Sequence, residues 1–261
     1  MPTDPVAARR SFLGIGFDPL DTAAAARWLE RVAPGDPFTY VVTPNVDHLV
    51  RLDALGRGDP VGRELWEGYA GATLVLCDSR ILARLARFYG VTLPLAPGSD
   101  LTVRLFDQVV RPGDRIAVIG GDADLGTTLR ARFPALDVVQ HMPPMGLLRD
   151  PAAMAAAVAF GRDSAARFLL IAVGSPQQEV LAARIARDAR GATGCALCIG
   201  ASLDFIVGRQ RRAPRWIQRL GMEWAHRLGS QPRRLWRRYL VDGPRIFRMA
   251  HAWHRARGPG A

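Results

Sequence analysis

The stretch RFLLIAVGSP, residues 167–176, opens on an arginine, runs through six consecutive apolar residues and stops at Gly-Ser-Pro. A short, unbroken apolar run bounded by turn residues reads as a strand buried on both faces, the kind found in parallel sheets covered by helices. The same form recurs in TYVVTPN (39–45), ATLVLCD (72–78), RIAVIGG (115–121), DVVQH (137–141) and GCALCIGAS (194–202). Between these runs, residues 21–32, 80–88, 101–110, 125–133, 151–160 and 178–190 read as helices. Strand and helix in alternation predict an α/β fold, a Rossmann-like, mostly parallel sheet flanked by helices. LPLAPGSD (93–100) reads as a turn between two halves.

Open sheets of this kind bind ligands beyond the carboxyl ends of their strands. The positions there are Thr43, Asn45, Asp78, Gly120, Gly121, Gly174, Ser175, Gln178 and Ser202. Asp78 ends one run and precedes SRILARLARF, so it has two readings: an N-cap, or a carboxylate that accepts a proton from a hydroxyl. Thr43 and Asn45 flank Pro44 and serve either a turn or a ligand in the same crevice. GGDADLGTT (120–128) is no P-loop, because Thr127 stands where the lysine would be. Its Asp122 and Asp124 have the spacing of a divalent-cation pair, although Asp at a strand-to-helix turn is also the ordinary helix cap.

The 261 residues are 49% hydrophobic and carry a formal charge of +11, with every basic residue an arginine. That charge is local. Residues 209–257 hold 14 of the 35 arginines and two acids, leaving 21 arginines against 22 acids elsewhere. The division predicts a near-neutral body, residues 1–208, and a basic appendage, 209–261, that meets a polyanion. Trp216, Ile217, Leu220, Trp224 and Leu228 cluster at helical spacing, with Arg215, Arg219 and His226 mostly off that side. In RRLWRRYL, helical spacing puts Leu235, Trp236, Tyr239 and Leu240 on one face and Arg233, Arg234, Arg237 and Arg238 on the other. Basic amphipathic helices with interfacial aromatics predict a surface-lying anchor on an anionic membrane. Binding of the same arginines to nucleic acid is the rival reading, and a nucleotide-binding regulatory protein with such a tail the rival function. Cys77, Cys195 and Cys198 lie in or beside apolar runs and read as core thiols in a reducing compartment. With no charged start leading into an apolar run, and no apolar stretch near the ~20 residues of a span, the expected location is cytoplasmic.

VVTPNVDHLVRL, LVLCDSRILARLARFYGVTLPLAPGSDLT, IAVIGGDADL, IAVGSPQQEVLAARI and the long block from CIGASLDFIVGRQRRAPRW through RRLWRRYLVDGPRIF together resemble, in this order, the WecG/TagA/CpsF glycosyltransferases, glycosyltransferase family 26. The likeness runs from about Phe12 to Phe247. It implies an inverting, metal-independent transfer of a hexose from a UDP-sugar to a polyprenyl-diphosphate-linked sugar at the cytoplasmic membrane face, with no cofactor. It also implies Asp78 as base, Thr43, Asn45 and Gln178 as catalytic partners, and Glu179 beside them. Gly120, Gly121, Gly174 and Ser175 then line the substrate crevice. Arg211, Arg212, Arg215, Arg233, Arg234, Arg237 and Arg238 match the arginines that reach the diphosphates. Ser79, Leu95 and Gln177 stand where the family usually has Gly, often Arg and often Lys. Expected partners are the UDP-hexose, the lipid-linked acceptor and the membrane, without nucleic acid; nothing in the pattern excludes a homo-oligomer.

Overall fold

The computed structural model describes residues 8–188, 190–210, 214, 217, 225, 228–229 and 232–257. A two-stranded hairpin comes first, β1 (Arg10–Phe12) and β2 (Ile15–Phe17). Its two-residue turn, Leu13 and Gly14, has positive φ at both positions, the backbone whose twist matches paired strands. Asp18 then exchanges hydrogen bonds with Val75, its Oδ2 accepting the Val75 N–H and its own N–H donating to the Val75 carbonyl, which covers the outer edge of the main sheet.

That sheet has six parallel strands: β3 (Thr39–Val42), β4 (Leu74–Val75), β5 (Arg115–Gly120), β6 (Asp137–His141), β7 (Phe168–Ala172) and β8 (Cys195–Cys198). Their order is β4-β3-β8-β7-β5-β6. Alternate residues of each strand enter separate cores. Tyr40, Val42, Ala117, Ile119, Leu169, Ile171, Ala196 and Cys198 fill one, and Val41, Ile116, Val118, Phe168, Leu170, Cys195 and Leu197 fill the other. Both cores are buried, which is why the strands are apolar without interruption. Cys195 and Cys198 therefore point to opposite sides of the sheet as free thiols, and burial raises Cys195 to about 12.

The first core is covered by α2 (Val46–Leu55), α3 (Pro60–Ala70), α4 (Arg80–Phe88), α7 (Pro151–Asp163) and α8 (Gln177–Asp188); the second by α1 (Thr22–Glu30), α5 (Gly98–Arg104), α6 (Ala123–Arg132) and α9 (Leu203–Ile206). Side-chain caps set several helix starts: Asp21, Asn45, Asp59, Ser79, Asp122 and Asp150 each accept a first-turn N–H. The arginine that opens the 167–176 stretch is buried at the foot of β7. Arg167 donates to the carbonyls of Glu30, Val32 and Val109 and pairs with Asp114 at 2.6 Å, so it closes the ends of α1 and of the turn after α5.

Two elements differ from expectation. The run 72–78 forms a ladder only at Leu74–Val75, because β4 is the edge strand and its continuation is a single bridge from Cys77 to Leu95. LPLAPGSD is therefore a sheet-edge segment that carries the chain from α4 on one face to α5 on the other. The helix expected over 101–110 begins at Gly98 and finishes in a π turn, Leu105–Val109.

Beyond the body, α10 (Pro232–Trp236) runs into a second π turn, Arg237–Asp242, and α11 (Arg245–Arg257) follows. Helix α11 packs on the first core through Ile246 and Ala250, and its Trp253 meets Phe12 edge-on at 5.0 Å. The last part of the basic appendage thus shares the core of the body.

Candidate functional site

After β3 the chain leaves to the first face as α2, and after the neighbouring β8 it leaves to the second face as α9. Divergence of adjacent connections opens a crevice at the carboxyl end of the sheet. Asp78 stands there. It is not a helix cap: Ser79 caps α4, its Oγ accepting from the Leu82 N–H at 3.2 Å. Asp78 Oδ1 instead accepts the Gly98 N–H at 2.6 Å, and Oδ2 accepts Asn45 Nδ2 at 3.2 Å. Its own N–H binds the Pro44 carbonyl at 3.2 Å. A carboxylate offers about four acceptor positions, so two fixed bonds orient it and leave acceptor capacity.

Asn45 does two things at once. Its Oδ1 caps α2 by accepting from Asp47 and His48, while its amide nitrogen turns to Asp78. Thr43 is buried next to them. A Cβ placed on Gly98 would lie 2.6 Å from Thr43 Oγ1, so only glycine lets the start of α5 close on Thr43 and Asp78. Gly98 is a site position that sequence reading took for a plain turn residue. No local signal marks it, since the approach is tertiary.

Gln178 is buried at the start of α8 and bridges to the end of β8: its Oε1 accepts from the Gly200 N–H at 2.9 Å and its Nε2 donates to Glu179 Oε1 at 2.8 Å. Glu179 is only 1% exposed, so it reaches the crevice through Gln178 and not directly. Tyr69 lies against it. Burial first, then the Glu179 charge, pushes the Tyr69 hydroxyl well above its ordinary range and keeps it protonated. Gly174, with φ +75°, accepts the Gln178 N–H at 3.0 Å, and the carbonyl of Ser175 accepts Arg51 Nη1 at 2.5 Å. Gly120 and Gly121 line the neighbouring strand end with φ of +106° and +72°. A Cβ on Gly121 would run into Leu125, so this turn presses closely onto α6.

Asp122 caps α6 by accepting the Leu125 N–H at 2.8 Å, and Arg209 holds both its oxygens at 2.9 Å. The guanidinium foremost, then the Leu125 N–H, lower its carboxyl below the usual range. Of the two aspartates with cation-pair spacing, this one is engaged as a cap and clamp. Among the described residues no group of three or more His, Cys, Asp or Glu is placed to hold a metal ion.

The appendage returns to the same end of the sheet. Arg238 reaches Asp47 Oδ2 at 3.3 Å, and Arg51 reaches the same oxygen at 3.3 Å, two residues beyond Asn45. Arg233 and Arg237 are exposed. Arg211, Arg212 and Arg215 lie outside the described residues, as do Trp216, Leu220, Trp224 and the Arg234 side chain. Of the apolar face expected of RRLWRRYL, Leu235 is buried, whereas Trp236 is 51% and Leu240 56% exposed. Adjacent residues point about 100° apart on a helix, and the π turn that begins at Arg237 shifts the spacing further.

The arrangement combines an oriented carboxylate that can accept a proton, buried amide contacts, and guanidinium groups suited to phosphate. As a class, these features define a doubly wound α/β protein with its ligand crevice at a switch point of the sheet. A family model described as glycosyl transferase WecG/TagA/CpsF family matches residues 10–259 of the 261. The chain belongs to this family, and its activity is that of a glycosyltransferase acting on a sugar-nucleotide donor and a sugar acceptor.

Proposed function

We propose that the chain is an inverting hexosyltransferase that uses a UDP-sugar donor and a sugar carried on a polyprenyl diphosphate. It makes a β-linked lipid-borne disaccharide for exopolysaccharide, capsule or a related surface glycan, without a metal or cofactor. The observation that carries this reading is Asp78, held by Gly98 and Asn45 while Ser79 takes over the helix cap. Asp78 accepts the proton of the acceptor hydroxyl as its oxygen attacks C1 of the donor hexose. The bond from C1 to the diphosphate oxygen breaks, and UDP leaves with the electron pair. Arg51, Arg238 and the other arginines of the appendage offset the charge that grows on the diphosphate. Thr43 and Asn45 set the position of the carboxylate, and Gln178 that of the β8 turn.

Exposed Trp236, Leu240 and Val241 beside Arg233 and Arg237 support docking on an anionic bilayer at its cytoplasmic face. Among the described residues no helix is long and apolar enough to cross a membrane.

The test is transfer from a panel of UDP-hexoses to a polyprenyl-diphosphate-linked sugar in excess chelator, comparing native protein with Asp78→Asn. The expected result is metal-free turnover that falls by about 10²–10⁴ in the variant. Turnover that needs added divalent cation, or an Asp78→Asn protein as active as native, overturns the mechanism.

A further inference from the structure

Helix α11 does not close flush on the body. Between it and helices α2 and α3 runs an open groove of about 690 Å3, lined on one side by Leu49, Leu52 and Trp66 and on the other by Met249, Ala252 and Trp253. Residues three and four apart line up on a helix, so Met249, Ala252, Trp253 and Ala256 present one apolar stripe of α11 to a space backed by the buried Leu49 and Leu52 of α2. The volume lies within the ~300–1,000 Å3 of small-molecule sites. The charged residues along it are Arg245 and Arg248, themselves one face of α11, and Asp53, so the balance at the groove is cationic. An apolar channel with two guanidinium groups beside it fits an amphiphile with a hydrocarbon chain and an anionic head.

Its position relates it to the crevice. Helix α2 begins beside Asn45, the residue that holds Asp78, and Asp47 in its first turn is where Arg51 and Arg238 converge. Leu49 and Leu52 lie four and seven residues beyond Asn45, roughly 6 and 10 Å further along the helix axis. A chain attached to a diphosphate at the first turn of α2 would therefore pass along α2 into the groove.

We propose that this groove binds the isoprenoid chain of the lipid-linked acceptor next to its diphosphate. The proposal rests on the acceptor class given above and adds where its hydrocarbon goes. Binding there places the lipid against the body of the enzyme, between the outermost arginines of α11 and the carboxylate crevice. The chain is thereby drawn partly out of the bilayer, and the acceptor sugar is presented at a set depth. Ala252 is exposed at the groove, so Ala252→Trp fills it without removing a buried contact.

The experiment is photo-crosslinking of the full-length protein with a benzophenone-bearing farnesyl diphosphate, mapped by peptide mass spectrometry. Unlabelled farnesyl diphosphate and phosphatidylglycerol serve as competitors, and transfer to long-chain and short-chain acceptors is assayed in parallel. Expected are labels within 46–55 and 245–257, displaced by farnesyl diphosphate and not by phosphatidylglycerol, and a labelling yield in Ala252→Trp reduced roughly tenfold. In the same variant KM for the long-chain acceptor rises by a similar factor, while turnover of the short-chain acceptor, whose alkyl group is too short to reach the groove from the first turn of α2, and thermal unfolding stay at native values. Labels confined to 232–242, labelling unaffected by Ala252→Trp and by a second filling variant, Ala256→Trp, or displacement by phosphatidylglycerol alone would overturn the proposal. Groove labelling in a protein that transfers no hexose overturns the proposed reaction and supports the groove; transfer with labels elsewhere does the reverse.

Discussion

Asp78 and Ser79 are neighbours with separate tasks, and substitution should separate them. Ser79→Ala removes the cap of α4 and is expected to cost about 1 kcal/mol in chemical denaturation while leaving turnover near native at 25 °C. Asp78→Asn is expected to do the opposite, keeping the helix start and losing catalysis. Asp122 gives a pH signature. Because Arg209 lowers its carboxyl in the folded chain, the clamp contributes stability above the ordinary value near 3.8 and loses it as pH falls through the depressed folded value. Urea unfolding of native protein and Asp122→Asn should differ at neutral pH and converge in acid; a difference that persists unchanged into strong acid would exclude the linkage. At this scale the sequence located the ends of the strands, because each apolar run stops at or just beyond the end of its strand. It left the cap and the base one residue apart and unresolved, since both are oxygen-bearing side chains before the same helix. Glu179 adjoins Gln178 in the sequence, but its burial against Tyr69 depends on α3, which lies more than a hundred residues away in the chain.

Helix α2 shows how one element joins stability to chemistry. Its cap residue also holds the base, so Asn45→Asp keeps an oxygen for the Asp47 and His48 N–H groups but brings a second carboxylate against Asp78. The expected outcome is a melting temperature close to native with turnover strongly reduced at neutral pH, because like charges at this separation repel and the donated bond is lost. Asn45→Ala should lose both turnover and about 1 kcal/mol of stability. Equal losses in the two variants by calorimetry would mean that the cap does not depend on the oxygen. The strands and helices α1, α4, α6, α7 and α8 were legible from apolar runs and helical period. Helices α2 and α3, the hairpin and α11 were not assigned. VDHLVRLDAL mixes charge into its apolar stripe and follows directly on a strand, so its period is masked at the join. The π turns after α5 and α10 were invisible for another reason: they are set by packing, and a 3.6-residue template does not contain them.

The whole molecule binds its two ends together. The charge split between body and appendage was readable from composition, but the docking of α11 on the first hairpin was not, because it joins residues at opposite ends of the chain. Ile246 is 1% exposed at that contact, and Ile246→Ala is expected to lower the stability of the entire protein by about 2–5 kcal/mol in a single cooperative transition. A first, separate transition with the body unchanged would show α11 to be an independent appendage. The strand order was likewise beyond sequence reading, since it depends on long-range pairing: Thr39 meets Gly194 across 155 residues. That pairing has a consequence for biosynthesis. Strand β3 leaves the ribosome early, yet β8, its partner toward the sheet centre, is among the last strands made. Until β8 is made, β3 carries an open apolar edge, and closure of the sheet waits on a loop of 155 residues between Thr39 and Gly194, which slows folding. During that interval the open edge of β3 is a template on which another unfinished copy can pair, a hazard that the stability of the finished fold does nothing to remove.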